Sequence, residues 1–323
     1  HNGDLDRAME LIEAAAKAGA DAVKLQTYTA ETITIDHDGP GFVIDDGLWK
    51  GRRLHDLYTE AHTPWDWQRA LFEKARALGI TIFSSPFDST AVTFLESLNT
   101  PAYKIASFEF VDLPLIGLVA RTGKPIIIST GMATPDEITE AVAAAREAGA
   151  KEIVLLHCVS GYPTPVEEAN VAIISGMAKR YRVPVGLSDH TLGIGVAVAA
   201  VALGASVIEK HFTLSRADGG PDADFSLEPA ELADLVKNCK DAWQGIGQGD
   251  KELQPSESSL KPFRRSLYVV ADVKRGEVFT EENVRSIRPA HGLPPKFLPD
   301  ILGRAAVQDI AFGTPLDWKM VSQ

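Results

Sequence analysis

The sequence predicts a TIM (β/α)8 barrel followed by a small β-rich domain, on three observations. Over residues 1–244, seven short apolar strands are each followed by a helical stretch, and repeated β-then-α order implies a parallel sheet wrapped in helices. One further helix opens the chain with no strand before it, so the barrel's first strand is expected upstream of His1. Beyond residue 262 the helical period stops, and Gly and Pro recur every few residues around two β-type runs. A doubly wound open sheet is the alternative. It more often shows a glycine-rich dinucleotide loop after its first strand, and this chain has none.

Asp4 to Ala18 places Leu5, Ala8, Met9, Ile12, Ala15 and Ala16 at helical spacing and stops at Gly19. Asp21 to Gln26 reads as a strand. Residues 29–63 form a longer insertion with a helix around Leu54. Pro64 sits in the first turn of a helix that runs to Leu78. Strands follow at Ile80 to Phe83, Ala102 to Ile105, Pro125 to Ile128 and Glu152 to Leu156, with helices at Ser89 to Leu98, Leu113 to Arg121, Thr134 to Ala148 and about Asn170 to Arg180. Two more strands, Val183 to Leu187 and Ser206 to Ile208, flank a small-residue helix at Val196 to Leu203. A last helix spans Pro229 to Trp243. Residues 245–262 are polar and weakly periodic and read as a linker. The small domain is expected at 263–323, with strands at Ser266 to Val270 and Ala305 to Ile310.

The chain has 323 residues, 24% of them charged, and a net charge of −12. That excess of negative charge disfavours nucleic acid and anionic membranes as partners. The longest apolar run, Gly195 to Ile208, is too short to span a bilayer. Two widely separated cysteines, Cys158 and Cys239, indicate no disulfide framework and point to a reducing compartment, the cytoplasm. The chain begins with His rather than Met and shows no charged-then-apolar leader, so its start reads as a cut.

In a parallel barrel the strand ends converge on one mouth. Here they supply Lys24, Gln26, Ser84, Ser85, Lys104, Ser107, Glu109, Ser129, Thr130, His157, Ser188, His190 and His211. Lys24 and Gln26 are two apart and share a face of their strand. A strand lysine among apolar neighbours is costly to bury unless it meets an anion. Lys24 and Lys104 among hydroxyls therefore read either as a phosphate or carboxylate cradle or as structural pairs with Glu109 or Glu209. Lys24, Lys104 or Lys210 could also serve as a Schiff-base amine. His190 and His211, at neighbouring strand ends, read as a shared divalent-cation site or as two hydrogen-bonded caps. Ser215 to Asp224 is a Gly- and Asp-rich loop suited to covering a site.

Nine motifs in order, among them Val23-Lys24-Leu25-Gln26-Thr27, Ser85-Pro86-Phe87, Tyr162-Pro163-Thr164-Pro165, Gly186-Leu187-Ser188-Asp189-His190-Thr191 and Glu209-Lys210-His211-Phe212-Thr213, resemble the bacterial sialic acid (nonulosonic acid) synthases. The tail, with Ile287-Arg288-Pro289 and Gly292-Leu293-Pro294-Pro295, resembles that family's antifreeze-like (SAF, β-clip) domain. The resemblance implies condensation of phosphoenolpyruvate (PEP) with an N-acylated hexosamine aldehyde, with release of phosphate, by a domain-swapped homodimer. Carried over by position, His190 and His211 would ligate Mn²⁺, with Mg²⁺ or Co²⁺ as alternatives. Lys24, Ser85, Lys104, Ser107, Ser129 and Ser188 would hold PEP. Gln26, Ser160, Tyr162 and Asp222 would contact the sugar, and Arg288 would reach the acyl group from the partner chain. Lys24, Lys104, His190 and His211 would be the catalytic set.

The sequence departs from the family at two points. A Glu expected on the strand before His1 lies outside the sequence. Ser160 stands where neuraminate-type members carry Asn, which opens the acceptor to 2,4-diacetamido-trideoxyhexoses of the legionaminic or pseudaminic type. A Lys at position 157 would mark the pseudaminic branch, and this chain has His157. The rival functions are a Schiff-base pyruvate aldolase or lyase and a non-catalytic sugar-binding protein.

Overall fold

The computed structural model describes residues 1–249 and 252–323, and the chain divides into two compact units, His1–Gly247 and Gln248–Gln323. Within the linker expected at 245–262, Asp250 and Lys251 lie outside the described residues.

The first unit is a curled, seven-stranded parallel sheet of the TIM-barrel type, its strands in sequence order. The strands are β1 (Ala22–Thr27), β2 (Thr81–Pro86), β3 (Tyr103–Ile105), β4 (Ile126–Ser129), β5 (Ile153–Cys158), β6 (Val185–Asp189) and β7 (Ile208–Lys210). The helices are α1 (Leu5–Lys17), α2 (Ala30–Ile33), α3 (Leu54–Ala61), α4 (Trp65–Leu78), α5 (Ser89–Ser97), α6 (Leu113–Arg121), α7 (Pro135–Glu147), α8 (Ile173–Tyr181), α9 (Gly195–Ala202) and α10 (Pro229–Ile246). The short helices α2 and α3 belong to the 29–63 insertion.

Local chemistry sets the helix starts. Asp4 accepts from the Arg7 amide, Asp88 from Thr90 and Ala91, and Asp112 from Leu115. Thr134 and Glu137 form a reciprocal capping box at the start of α7. Such caps satisfy amides that the first helical turn leaves free. Gly79 ends α4 in the left-handed region, at φ +72. Between sheet and helices lies one continuous apolar core, with Phe72, Tyr103, Ile105, Ile116, Ile128 and Leu155 fully buried.

Side chains close the sheet's curvature. Lys24 on edge strand β1 meets Glu209 on edge strand β7, with Nζ 3.0 Å from Oε1. Gly186 on β6 permits another close approach. A Cβ at that position would lie 2.2 Å from the Val207 carbonyl oxygen and 2.8 Å from Leu156, so the backbone before β7 runs hard against β6.

The second unit has its own buried cluster, including Leu267, Val269, Phe279, Val284, Ile301 and Leu316. Strand β8 (Ser266–Val269) pairs antiparallel with β9 (Val284–Ile287). The strand expected at Ala305 to Ile310 does not form. Ala306 donates to Glu277, Val307 to Met320, and Ile310 exchanges bonds with Val273, so successive residues turn to different partners and no ladder propagates. Among the described residues no helix is long and apolar enough to cross a membrane.

Candidate active site

Alternation along the strands explains which side chains reach the barrel interior. Lys24, Lys104, Ser188 and Glu209 converge there from β1, β3, β6 and β7. Glu209 Oε1 is the common partner: Lys24 Nζ lies 3.0 Å away, Lys104 Nζ 3.5 Å, and Ser188 Oγ donates at 2.9 Å. The pairing expected as one of two readings of the lysines is therefore present, and through one carboxylate rather than two. Burial pushes the Lys104 ammonium down to about 8, with Glu209 pulling the other way. Burial alone would raise the Glu209 carboxyl, but Lys104 and Lys24 outweigh it and hold the group well below the usual carboxylate range. Two ammoniums and one carboxylate leave this cluster with a net positive charge inside an acidic protein.

Hydroxyls border the cluster. Ser85 on β2 and Ser129 on β4 are buried, and neither Oγ has a hydrogen-bond partner among the described residues. Buried polar atoms are almost always paired, so two orphans beside a cationic cluster mark a place for an anionic ligand. Gln26 stands opposite Ser85 in the β1–β2 register. Ser107 donates to Cys158 Sγ at 3.4 Å, and Ser160 lies 3.9 Å from the same sulfur. Gly131 brings these loops together: a Cβ there would sit 2.8 Å from Ser107 Oγ and 2.9 Å from Ser160 Oγ. Glu109, just past β3, has one carboxyl oxygen buried without a partner, and burial pushes its carboxyl up to about 7.

The two imidazoles close the other side, their centroids 5.4 Å apart. His190 Nδ1 lies 2.9 Å from the Val159 carbonyl oxygen. A carbonyl only accepts, so Nδ1 carries the proton and Nε2 of the neutral ring keeps a free lone pair. Asp222 Oδ2 lies 3.2 Å from His211 Nδ1, so that nitrogen too carries a proton, toward the carboxylate. Histidines that ligate a divalent ion typically have their second nitrogen held by a carbonyl or carboxylate in this way, so the pair fits a metal. Two imidazoles give only part of a coordination sphere. Among the described residues no group of three or more His, Cys, Asp and Glu side chains is placed to complete it, so an ion held here would take its remaining ligands from water or substrate. His157 is spent otherwise, with Nε2 2.8 Å from the Ala169 carbonyl oxygen.

An aromatic wall stands over the histidines. Tyr162 packs 4.5 Å from His190 and 5.3 Å from Phe225, and Phe225 lies 4.9 Å from His211. Trp49, from the insertion, stacks at a tilt 5.4 Å from Tyr162 and donates its indole N–H to the Pro221 carbonyl at 2.8 Å. No sequence motif marks Trp49 or Phe225. Only a large aromatic in a long β1 loop hinted at the first. Arg288 belongs to the second unit, on the loop after β9.

Residues 11–251 match the NeuB family and residues 264–322 the SAF domain. The chain belongs to the NeuB family. It is 44% identical to a pseudaminic acid synthase of Campylobacter jejuni, over 98% of this chain and 92% of that one. It is 38% identical to an N,N'-diacetyllegionaminic acid synthase of the same species, over 96% and 93%. Among solved structures, an N-acetylneuraminic acid (sialic acid) synthetase from Leptospira borgpetersenii in complex with citrate superposes with a TM-score of 0.72 at 33% identity, covering 80% of this chain and 86% of that one.

Proposed function

We propose that this NeuB-family chain condenses PEP with an N-acylated amino sugar to give a nonulosonic acid and phosphate. The observation that carries the proposal is the Lys24–Glu209–Lys104 cluster with the unpartnered Ser85 and Ser129 hydroxyls beside it. PEP bears a phosphate and a carboxylate, and a site with two ammoniums and free hydroxyl donors matches both. Ser107 and Ser188 extend the same donor set. When bound, a divalent cation on His190 and His211, Mn²⁺ foremost, supplies Lewis acidity toward the aldehyde oxygen. The aromatic wall of Tyr162 and Phe225 flanks that position and excludes water from it, while Gln26, Ser160 and Asp222 offer polar contacts to the sugar.

In the proposed reaction, carbon 3 of PEP forms a bond to the aldehyde carbon, and the aldehyde oxygen takes a proton. Water adds at carbon 2, and the carbon–oxygen bond to phosphate breaks. The lysines hold the anionic groups through both steps. The working form is a domain-swapped cytoplasmic homodimer in which Arg288 of one chain completes the sugar site of the other.

The acceptor is a 2,4-diacetamido-2,4,6-trideoxyhexose, of the pseudaminic type before the legionaminic. The higher identity to the pseudaminic synthase supports that order. His157 speaks less strongly than its position in the motif suggests, because its ring caps a loop carbonyl. A Schiff-base lysine is the second reading, favoured by the lowered Lys104. With the ammonium at about 8, however, most of Lys104 is charged at pH 7 and suits an anion better than a carbonyl.

Phosphate release from PEP with Mn²⁺ and either N-acetylmannosamine or the diacetamido sugar tests the proposal. Release with the diacetamido sugar alone, abolished by chelator, is the expected result. Borohydride trapping of pyruvate on the protein would replace this reading with the aldolase.

A further inference from the structure

We infer that Asp189 and Lys210 form a buried clamp that sets the spacing of His190 and His211, and so act as positioning residues for the cation site. The inference rests on the metal reading above. Asp189 and Lys210 are direct partners in the β6–β7 register, the last pair of that ladder. Alternation turns them to the face opposite Ser188 and Glu209, toward the helices, while the next residues, His190 and His211, turn back toward the interior. The clamp therefore lies behind the two imidazoles, one residue from each.

The pair is sealed from solvent, and Asp189 Oδ2 meets the ammonium as an ion pair without an aligned hydrogen bond. Asp189 Oδ2 is 3.0 Å from Lys210 Nζ, and the two side chains are 1% and 2% exposed. Asp189 Oδ1 accepts from the Thr191 amide at 2.9 Å and from the Thr191 hydroxyl at 2.8 Å. Lys210 Nζ also donates to the Thr191 carbonyl. One ammonium on β7 thus grips the residues on both sides of His190, and the same lysine immediately precedes His211. The backbone ladder between the strands ends at this pair, so beyond it side chains take over the fixing of register.

A buried ion pair is weak evidence of net stabilisation, because desolvation offsets most of the attraction. Fixing register is the better-supported use of such a pair. Here register decides whether two Nε2 atoms on separate strands can reach one ion. Groups behind metal-binding histidines commonly tune affinity through orientation.

The test is Mn²⁺ binding by calorimetry on the full chain, with thermal melting alongside. In Asp189→Asn/Lys210→Met the Asn oxygen can still accept from Thr191 and the Met fills the lysine's volume, so the ion pair and the Lys210 bond to the Thr191 carbonyl are lost together. Mn²⁺ affinity is expected to fall about 10- to 100-fold while the melting temperature stays close to wild type. Lys210→Arg restores a cation opposite Asp189 and is expected to recover most of the affinity. Unchanged affinity in the double variant overturns the clamp, as does a loss in Lys210→Arg equal to that of the double variant. If the double variant does not fold, Thr191→Val removes one anchor of Asp189 and leaves both charges in place. It should weaken Mn²⁺ several-fold with the fold intact, and no change overturns the inference. A wild-type chain that binds no Mn²⁺ fails at the metal reading itself and takes the clamp down with it, an outcome distinct from the others.

Discussion

Two charge clusters lie back to back on β6 and β7, and they differ in charge balance and in exposure. The outward one, Asp189 with Lys210 and Thr191, balances one carboxylate against one ammonium, and its one oxygen without an aligned hydrogen bond, Asp189 Oδ2, still lies 3.0 Å from the Lys210 ammonium. The inward one, Lys24 with Glu209 and Lys104, has an excess cation and is bordered by two serine hydroxyls and one Glu109 oxygen with no partner. The outward pair is sealed, at 1% and 2% side-chain exposure, whereas inward only Lys104 is, at 2%, and Lys24 and Glu209 stay 21% and 18% exposed. Uncompensated charge beside unpartnered hydroxyls sets the inward cluster apart. A folded chain rarely leaves buried polar atoms unpaired, and where it does so beside net charge, a ligand of opposite charge is the economical explanation.

The widest break in this comparison would come from Lys104→Met. It leaves Glu209 facing Lys24 alone and cancels the cluster's positive charge. kcat/KM for PEP is expected to fall by about 10³-fold, within the 2–5 kcal/mol scale for losing one partner of a buried charge pair. A loss under tenfold would mean that the inward cluster is structural like the outward one.

Glu109 gives the next largest effect, through pH. Its carboxyl stands at about 7 in the folded protein against an ordinary 4.5. Between those values the native state holds more protons than the unfolded chain, so this group's contribution makes stability fall as pH rises through that window. The decline is on the order of 2–3 kcal/mol, and Glu109→Gln should flatten it in denaturant titrations run at pH 5 and pH 7.5. An unchanged slope would mean that Glu109 is not held protonated by its surroundings.

Ser129→Ala sharpens the contrast in a way that separates fold from function. Removing a buried hydroxyl with no protein partner should leave stability equal or raise it by up to about 1 kcal/mol. The KM for PEP should rise about fivefold, the worth of one hydrogen bond. Loss of stability with unchanged KM would show that the hydroxyl serves the core. The smallest change is expected from Arg288→Ala, a several-fold higher KM for the sugar with the melting of the barrel unit unaltered. An unchanged KM would mean that the second unit takes no part in the site.

How much of this was legible in the sequence depended on whether the information was local. Strand and helix order in the barrel came from apolar periodicity, which each segment carries in itself, and six of the seven strands lie close to where that pattern puts them, while the strand expected at Ser206 to Ile208 forms two residues later, at Ile208–Lys210. β2 and β5 run two to three residues further than their apolar cores, into Ser84-Ser85-Pro86 and His157-Cys158, because parallel pairing continues through polar residues that face the mouth. Convergence of Lys24, Lys104, Ser85 and Ser129 followed from strand-end position alone. The choice of Glu209 over Glu109 as the lysines' partner did not, since it depends on how the curl brings β7 to β1. The Asp189–Lys210 pair is likewise invisible without the register between two strands. In the second unit, Val284–Ile287 pairs although its polar Arg285 and Ser286 break any apolar run, while the more apolar Ala305 to Ile310 forms no ladder. Short strands there are chosen by whichever backbone lies alongside, and composition carries little of that.

The glycine at 186 has a consequence for anyone who would redesign this enzyme. The atom that a side chain there would strike is a main-chain oxygen, 2.2 Å away, which no rotamer change can move aside. A saturation library at 186 should return glycine almost alone, whatever acceptor is used in the selection. Attempts to change the site are better directed at Ser160, Tyr162 and Phe225, whose nearest contacts named above are other side chains.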